Sequence, residues 1–146
     1  MKQKKILSEG WKLKNFLYGE YPARVPGDIT DDLYRAGRIP DPLFGVNFKE
    51  LDWILRSDWE YSCEFEVSEK EFSAEKIDLS FGGVDTFSEI FLNGRKIGET
   101  DSMFLAYEFN VKGILKVGAN VLNVKMTSPY TIYESRKNEK YLSLLQ

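Results

Sequence analysis

The chain has 146 residues, 42% hydrophobic and 14% aromatic, which is enough apolar material for one domain with its own core. A net charge of −3 with both signs interspersed argues against a nucleic-acid ligand, because phosphate binding needs a clustered cationic face. With no histidine and a single cysteine, the chain cannot carry Ser–His or Cys–His catalysis or an internal disulfide, and it lacks the commonest transition-metal ligand.

Lys2-Gln3-Lys4-Lys5 is read as a solvated terminus. Ile6-Leu7 after it is too short for the apolar stretch of a signal peptide. No run approaches the ~20 apolar residues of a membrane span, and no Asn-x-Ser/Thr sequon occurs, so the expected compartment is the cytoplasm. An early strand is predicted around Trp11 to Phe16, with Trp11 and Leu13 alternating against Lys12 and Lys14. Two short helices follow. The first runs from about Thr30 to Ala36 and is ended by Gly37 in a left-handed conformation. The second runs from Phe48 to Arg56, with Asn47 as cap and Glu50 completing a capping box.

Trp59 to Val67 alternates strictly, placing Trp59, Tyr61, Cys63, Phe65 and Val67 on one face and Glu60, Ser62, Glu64 and Glu66 on the other. Period-two alternation with aromatic and β-branched residues marks a strand with one buried face. Cys63 falls on the buried face and is expected to be an inert structural thiol. Ile77 to Phe81 repeats the pattern until Gly82-Gly83 breaks it. Phe87 to Leu92 and Arg95 to Gly98 flank Asn93-Gly94, which supplies the positive φ angles of a type I′ hairpin turn. Leu105 to Val111 alternates again. Gly118-Ala119-Asn120 is expected to turn into a further strand with Leu122, Val124 and Met126 on one face, stopped by Pro129. Short strands separated by turns, without βαβ order, predict an antiparallel sandwich. After Pro129 the composition shifts to Glu134-Ser135-Arg136-Lys137-Asn138-Glu139-Lys140 and then to Tyr141, Leu142, Leu144 and Leu145. The expectation is one domain over 1–146, cut before its final strand.

Two segments fit together. One runs Val25-Pro26-Gly27-Asp28, Asp32-Leu33, then Gly37-Arg38-Ile39-Pro40-Asp41-Pro42-Leu43-Phe44-Gly45-Val46-Asn47 and Trp59-Glu60-Tyr61. The other runs Phe81-Gly82-Gly83-Val84-Asp85-Thr86, Leu92-Asn93-Gly94 and Met103-Phe104. In this order they resemble the N-terminal sugar-binding domain of β-mannosidases, in glycoside hydrolase family two. The resemblance implies an all-β fold: an antiparallel jelly-roll β-sandwich, similar to galactose-binding modules, with one or two short helices near the N-terminus. It implies downstream immunoglobulin-like domains and a (β/α)8 barrel, absent here, as partners in the same polypeptide. It also implies a retaining enzyme acting on β-mannosides through two barrel glutamates ~5–5.5 Å apart, so no catalytic residue is expected in this chain, which is expected to be inactive alone. Arg136-Lys137 matches a pair of the family, but the tryptophan- and glycine-rich motif that follows it there is absent.

Two prolines stiffen the loop Ile39 to Gly45. The resemblance implies that its Asp41 reaches the rim of the sugar site; read from the residues alone, Asp41 caps a turn between two prolines. Asp85 is expected to satisfy backbone donors at a strand bend, and Asn93 to serve its left-handed conformation. Trp53 and Trp59 are assigned to the core, Met103-Phe104 to a plug of the sandwich or an interdomain seam, and Tyr130 and Tyr133 are the aromatics a core explains least. No cofactor is expected, and no Asp-rich loop of calcium-binding spacing occurs, so no metal is expected. A free-standing carbohydrate-binding module for β-mannosides or galactosides is the alternative from a different class, and a purely structural packing domain is a third.

Overall fold

A computed structural model describes residues 3–41 and 51–134. Among the described residues eleven elements occur in chain order: β1 (Trp11–Asn15), β2 (Gly19–Pro22), α1 (Ile29–Arg35), α2 (Asp52–Arg56), β3 (Trp59–Val67), α3 (Glu69–Phe72), β4 (Asp78–Phe81), β5 (Ser88–Leu92), β6 (Arg95–Thr100), β7 (Tyr107–Asn110) and β8 (Gly118–Met126). Six strands form one sheet in the order β2-β1-β3-β8-β5-β6, and β4 pairs with β7 in a second sheet. Every pairing is antiparallel. The sandwich expected from the alternating segments is therefore present.

Directly opposed residues in an antiparallel ladder share a face. Trp11 opposes Cys63, which opposes Leu122, which opposes Leu92; likewise Tyr61 opposes Val124, which opposes Ile90. One face of the large sheet is thus apolar across its central strands, and it is covered in two halves. Leu79, Phe81 and Phe109 of the small sheet pack on the half holding Cys63, Ile90, Leu92, Leu122 and Val124. The helices cover the half holding Leu13 and Trp59, through Leu33, Leu51 and Ile54. Tyr61 and Ala23 pack against both halves. Leu13, Leu33, Ile90 and Leu92 are fully buried, each worth about 1.5–3 kcal/mol of transfer free energy.

Sequence-local signals explain several ends. Asp28 caps α1 by accepting from the Asp31 N–H at 2.8 Å, and Gly37 takes φ 71° just beyond the helix. Asn93 and Gly94 adopt φ 52° and 81°, as a type I′ turn requires. Three expectations are corrected. Gly118, Ala119 and Asn120 lie inside β8 rather than in a turn, because the nine-residue β3 pairs along their whole length. Leu105 lies before β7 and is exposed. Met103 and Phe104 do not plug the sandwich, Phe104 being 88% exposed. The strand β2 and the capped helix α3, whose Ser68 and Glu71 form a capping box, add to the expected elements. Asn47 and residues 48–50 of the expected second helix, the loop residues 42–45, and the segment from Arg136-Lys137 to Leu145 lie outside the described residues.

Candidate functional site

The helical corner carries Asp41. Ile39 is buried against Leu13, Leu33, Ile54 and Trp59. The backbone before it is held by the Arg38 N–H donating to the Leu33 carbonyl at 2.9 Å, and by Arg38 Nε donating to the Tyr21 hydroxyl at 2.9 Å. Asp41 lies two residues later and is half-buried, on a backbone anchored by core packing on one side. Within the described residues the stiff loop thus has a fixed root.

Beneath that root lies Asp32, whose carboxyl is shut off from solvent. Its Oδ1 accepts from the Arg24 N–H at 3.0 Å and from the Arg35 guanidinium, which ties the Val25-Pro26-Gly27 turn to α1. Among the described residues its Oδ2 meets no hydrogen-bond partner. Burial raises its pKa above the usual carboxylate range, against the opposing pull of the Arg24 amide and the Arg35 charge. Tyr61 faces the same carboxyl, and burial first, then the charges of Asp32 and Asp28, push its phenol up. Both groups are structural, since the site's solvent-facing side is formed elsewhere.

That side is one end of the sandwich. The registers align the end of β1, the start of β3, the end of β8, the start of β5 and the end of β6. Asp58 knits this end together: the Asn15 side chain donates to its carbonyl at 2.9 Å, and its Oδ1 accepts from the Ser128 N–H at 2.7 Å. Ser128 is buried and its hydroxyl donates to the Leu55 carbonyl at 2.5 Å. Farther along, the Ser88 and Thr100 hydroxyls lie 2.6 Å apart and Thr100 donates to the Thr86 carbonyl at 2.8 Å. Asp85 is exposed and accepts from the Thr86 hydroxyl. No sequence periodicity singled out Asp58 and Ser128; their only local signal is placement next to Trp59 and Pro129, where strands begin and stop.

The same end carries the aromatics. Tyr18 stacks on Trp53 with centroids 4.5 Å apart, and Trp53 lies 6.1 Å from Trp59. Trp59 is buried, while Trp53 is half-buried. Arg56 sits 4.3 Å from the Tyr130 ring centroid and donates to Asp52 at 2.5 Å; the Tyr130 hydroxyl donates to Asp52 at 3.2 Å. The hydrogen bond from Arg56 holds the Asp52 carboxyl below its usual range. Pro129, Tyr130 and Tyr133 line a shallow hollow of about 320 Å³. Among the described residues, no three Cys, Asp or Glu side chains gather in a way that could hold a metal ion. In the middle of β3, Cys63 is buried, with its thiol directed at the Glu9 carbonyl 3.4 Å away.

Residues 11–144 match the family model described as glycosyl hydrolase 2 galactose-binding domain-like. The chain is 37% identical over 115 residues to a probable β-mannosidase of Caenorhabditis elegans, covering 79% of this chain and 13% of that protein. It is 34% identical over 137 residues to the β-mannosidase of Mus musculus, covering 92% of this chain and 16% of that protein. The crystal structure of β-D-mannosidase from Dictyoglomus thermophilum superposes with a TM-score of 0.86 at 45% identity, over 89% of this chain and 16% of that one. The chain thus spans about one-sixth or less of the relatives it matches. By fold, by sequence and by the span of the match, it belongs to the glycosyl hydrolase 2 galactose-binding domain-like family.

Proposed function

We propose that this chain serves as the N-terminal β-sandwich of a β-mannosidase-type retaining glycoside hydrolase, in which it supports the catalytic part and lends Asp41 to the rim of the sugar site. The observation that carries the reading is the 45% identity and TM-score of 0.86 to a β-D-mannosidase over 89% of the chain. Hydrolysis with retention needs a nucleophile and an acid/base carboxyl ~5–5.5 Å apart, and in this reading both come from the remainder of the polypeptide. Asp41 suits a secondary role because a carboxylate accepts hydrogen bonds from sugar hydroxyls, and its root is fixed by buried Ile39. Cytoplasmic residence belongs to the same proposal.

The test is capture from the source cells with an antibody to this chain, followed by assay with p-nitrophenyl β-D-mannopyranoside. The expected result is a captured polypeptide several times larger than 16.9 kDa that releases nitrophenol. In that polypeptide Asp41→Ala is expected to raise KM by about 3–10-fold, equivalent to one hydrogen bond of ~1 kcal/mol, with kcat nearly unchanged. A captured protein without β-mannosidase activity overturns the reading.

A further inference from the structure

The helix that roots Asp41 is held to the body of the domain by two buried side chains, Leu33 and Asp32. An apolar residue beside Leu33 would be buried without electrostatic cost, whereas a carboxyl in its place has to be desolvated. Packing alone therefore does not explain Asp32, and a buried oxygen that meets no partner among the described residues calls for a reason. Three parts of the chain converge on this carboxyl. The 24–27 segment meets it through the Arg24 N–H, 3.0 Å from Oδ1. From α1 and its cap, Arg35 donates to it and the carboxylates of Asp28 and Asp31 face it. From β3 the Tyr61 phenol faces it, while Tyr21 of β2 is engaged with Arg38 instead. The end of α1 in turn sets the loop. Ala36 N–H donates to the Asp32 carbonyl at 3.1 Å, Arg38 N–H donates to the Leu33 carbonyl at 2.9 Å, and Ile39 packs in one cluster with Leu33. The helix and the root of Asp41 thus move together.

We infer that Asp32 is a positioning residue for Asp41: by gathering the 24–27 segment, α1 and β3 on one carboxyl, it fixes the loop root when neutral and loosens it when ionised. The inference rests on the proposed placement of Asp41 at the rim of a sugar site. Asp32 is shut off from solvent, so it touches no sugar and acts only through the loop. Ionisation sends its proton to water and leaves a charge in the interior. Oδ1 is then served by Arg24 and Arg35, but Oδ2 gains nothing from the described residues. The charge is better solvated when α1 lifts and water reaches the carboxylate. Burial outweighs the Arg24 and Arg35 contacts and raises the pKa of the closed form. Opening therefore releases a proton, and it becomes easier as pH rises through the raised value. Below the ordinary value of 3.8 the closed form keeps its full advantage. A pair of short anchors, one of them titratable, makes this corner respond to pH while the rest of the sheet does not.

The test follows hydrogen-exchange protection of the Ala36, Gly37 and Arg38 amides in the full chain between about pH 4 and 8, with the β8 amides as reference for the intact fold. Protection is expected to fall at least about threefold across that range while β8 stays constant. Asp32→Asn, which keeps the shape and cannot ionise, is expected to abolish the step; Arg35 retains Asp31 at 3.0 Å in that variant. Leu33→Ala, which weakens the other anchor, is expected to lower protection at every pH and to keep the step. In the captured polypeptide the KM for p-nitrophenyl β-D-mannopyranoside is expected to rise over the same range in the parent and not in Asp32→Asn, with one kcat profile for both. Flat protection in the parent overturns the inference, and so does a step that persists in Asp32→Asn. Equal KM profiles in an active enzyme overturn it too, since Asp32 then serves the fold without placing Asp41. An Asp32-dependent step in a polypeptide without β-mannosidase activity upholds its hold on the loop and sinks the enzymatic reading.

Discussion

Gly98 in β6 faces the ring of Phe109 in β7, and that approach makes a sharp test of how the two sheets meet. A Cβ built on Gly98 would lie 2.6 Å from Phe109 Cζ and closer still to Cε1. Unstrained carbon–carbon contacts sit near 3.5–4.0 Å, so Gly98→Ala forces the ring to retreat by roughly 1 Å. Phe109 in turn packs edge-on against Phe81, with centroids 6.3 Å apart, so the retreat disturbs both strands of the small sheet. Overpacking of this kind costs about 1–3 kcal/mol. Set against it is the gain of about 0.5–1 kcal/mol from replacing glycine by alanine in a strand. The net expectation is a loss of about 1.3 kcal/mol, or a fall in Tm of roughly 4 °C for a domain of this size. Phe109→Ala alone, at a half-buried position, is expected to cost about 2–3 kcal/mol. In that background Gly98→Ala should change sign and stabilise by about 0.5 kcal/mol, giving a coupling near 2 kcal/mol in a double-mutant cycle. Thermal unfolding of the four proteins by circular dichroism reads the cycle. Additive effects, or a Gly98→Ala variant within about 0.5 kcal/mol of the parent, would refute the steric argument.

Three further outcomes are expected. Asp32 has its folded-state pKa raised by burial, so the native state keeps a proton that the unfolded state has lost; stability from this group is present below the unfolded value of 3.8 and declines as pH rises through the raised one. The parent-minus-Asp32→Asn difference in urea stability should therefore fall between about pH 4 and neutrality, and a flat difference counts against a buried neutral carboxyl. Asn93→Ala removes a side chain whose Oδ1 accepts from the Val121 N–H at 2.9 Å and whose Nδ2 donates to Asn120 at 2.9 Å and Ile114 at 3.2 Å; urea denaturation should show a loss of about 2–4 kcal/mol, and a loss under about 1 kcal/mol would show the network to be dispensable. Burial raises the Cys63 pKa, so a disulfide reagent at about pH 8 should label it only as fast as the protein unfolds, an expectation that prompt labelling in native buffer defeats.

The face of β3 could be read from its alternation because one residue in two meets the core regardless of which strands lie beside it. Ser62, on the outward face, is nevertheless buried, since it sits opposite Asn123 in mid-sheet; a period-two pattern carries no information about neighbours. The same limit applies to Gly118-Ala119-Asn120. Their composition is that of a turn, but pairing with β3 extends the strand through them, and Asn120 becomes fully buried by donating to the Lys116 and Gly118 carbonyls at 2.8 and 3.0 Å. Asn93 was legible as a left-handed turn residue and illegible as the partner of Asn120, because that bond spans 27 residues. At the candidate site, the prolines around Asp41 announced a stiff loop, while its anchor on Leu13 and Trp59 needed the assembled sheet.

The division of one sheet face between a helical cover and a β cover, joined through Tyr61 and Ala23, has a bearing on how the molecule comes apart. Among the described residues the helical cover consists of the short α1 and α2, seven and five residues long, too short to persist without their contacts. The β cover is locked by ladder bonds between β4 and β7. The helical corner is therefore expected to exchange its amide hydrogens faster than the half covered by β4 and β7. Asp41 is therefore rooted in the half of the sandwich whose cover depends on tertiary packing rather than on ladder bonds, so a substitution that loosens that packing reaches the carboxylate before it reaches the other half.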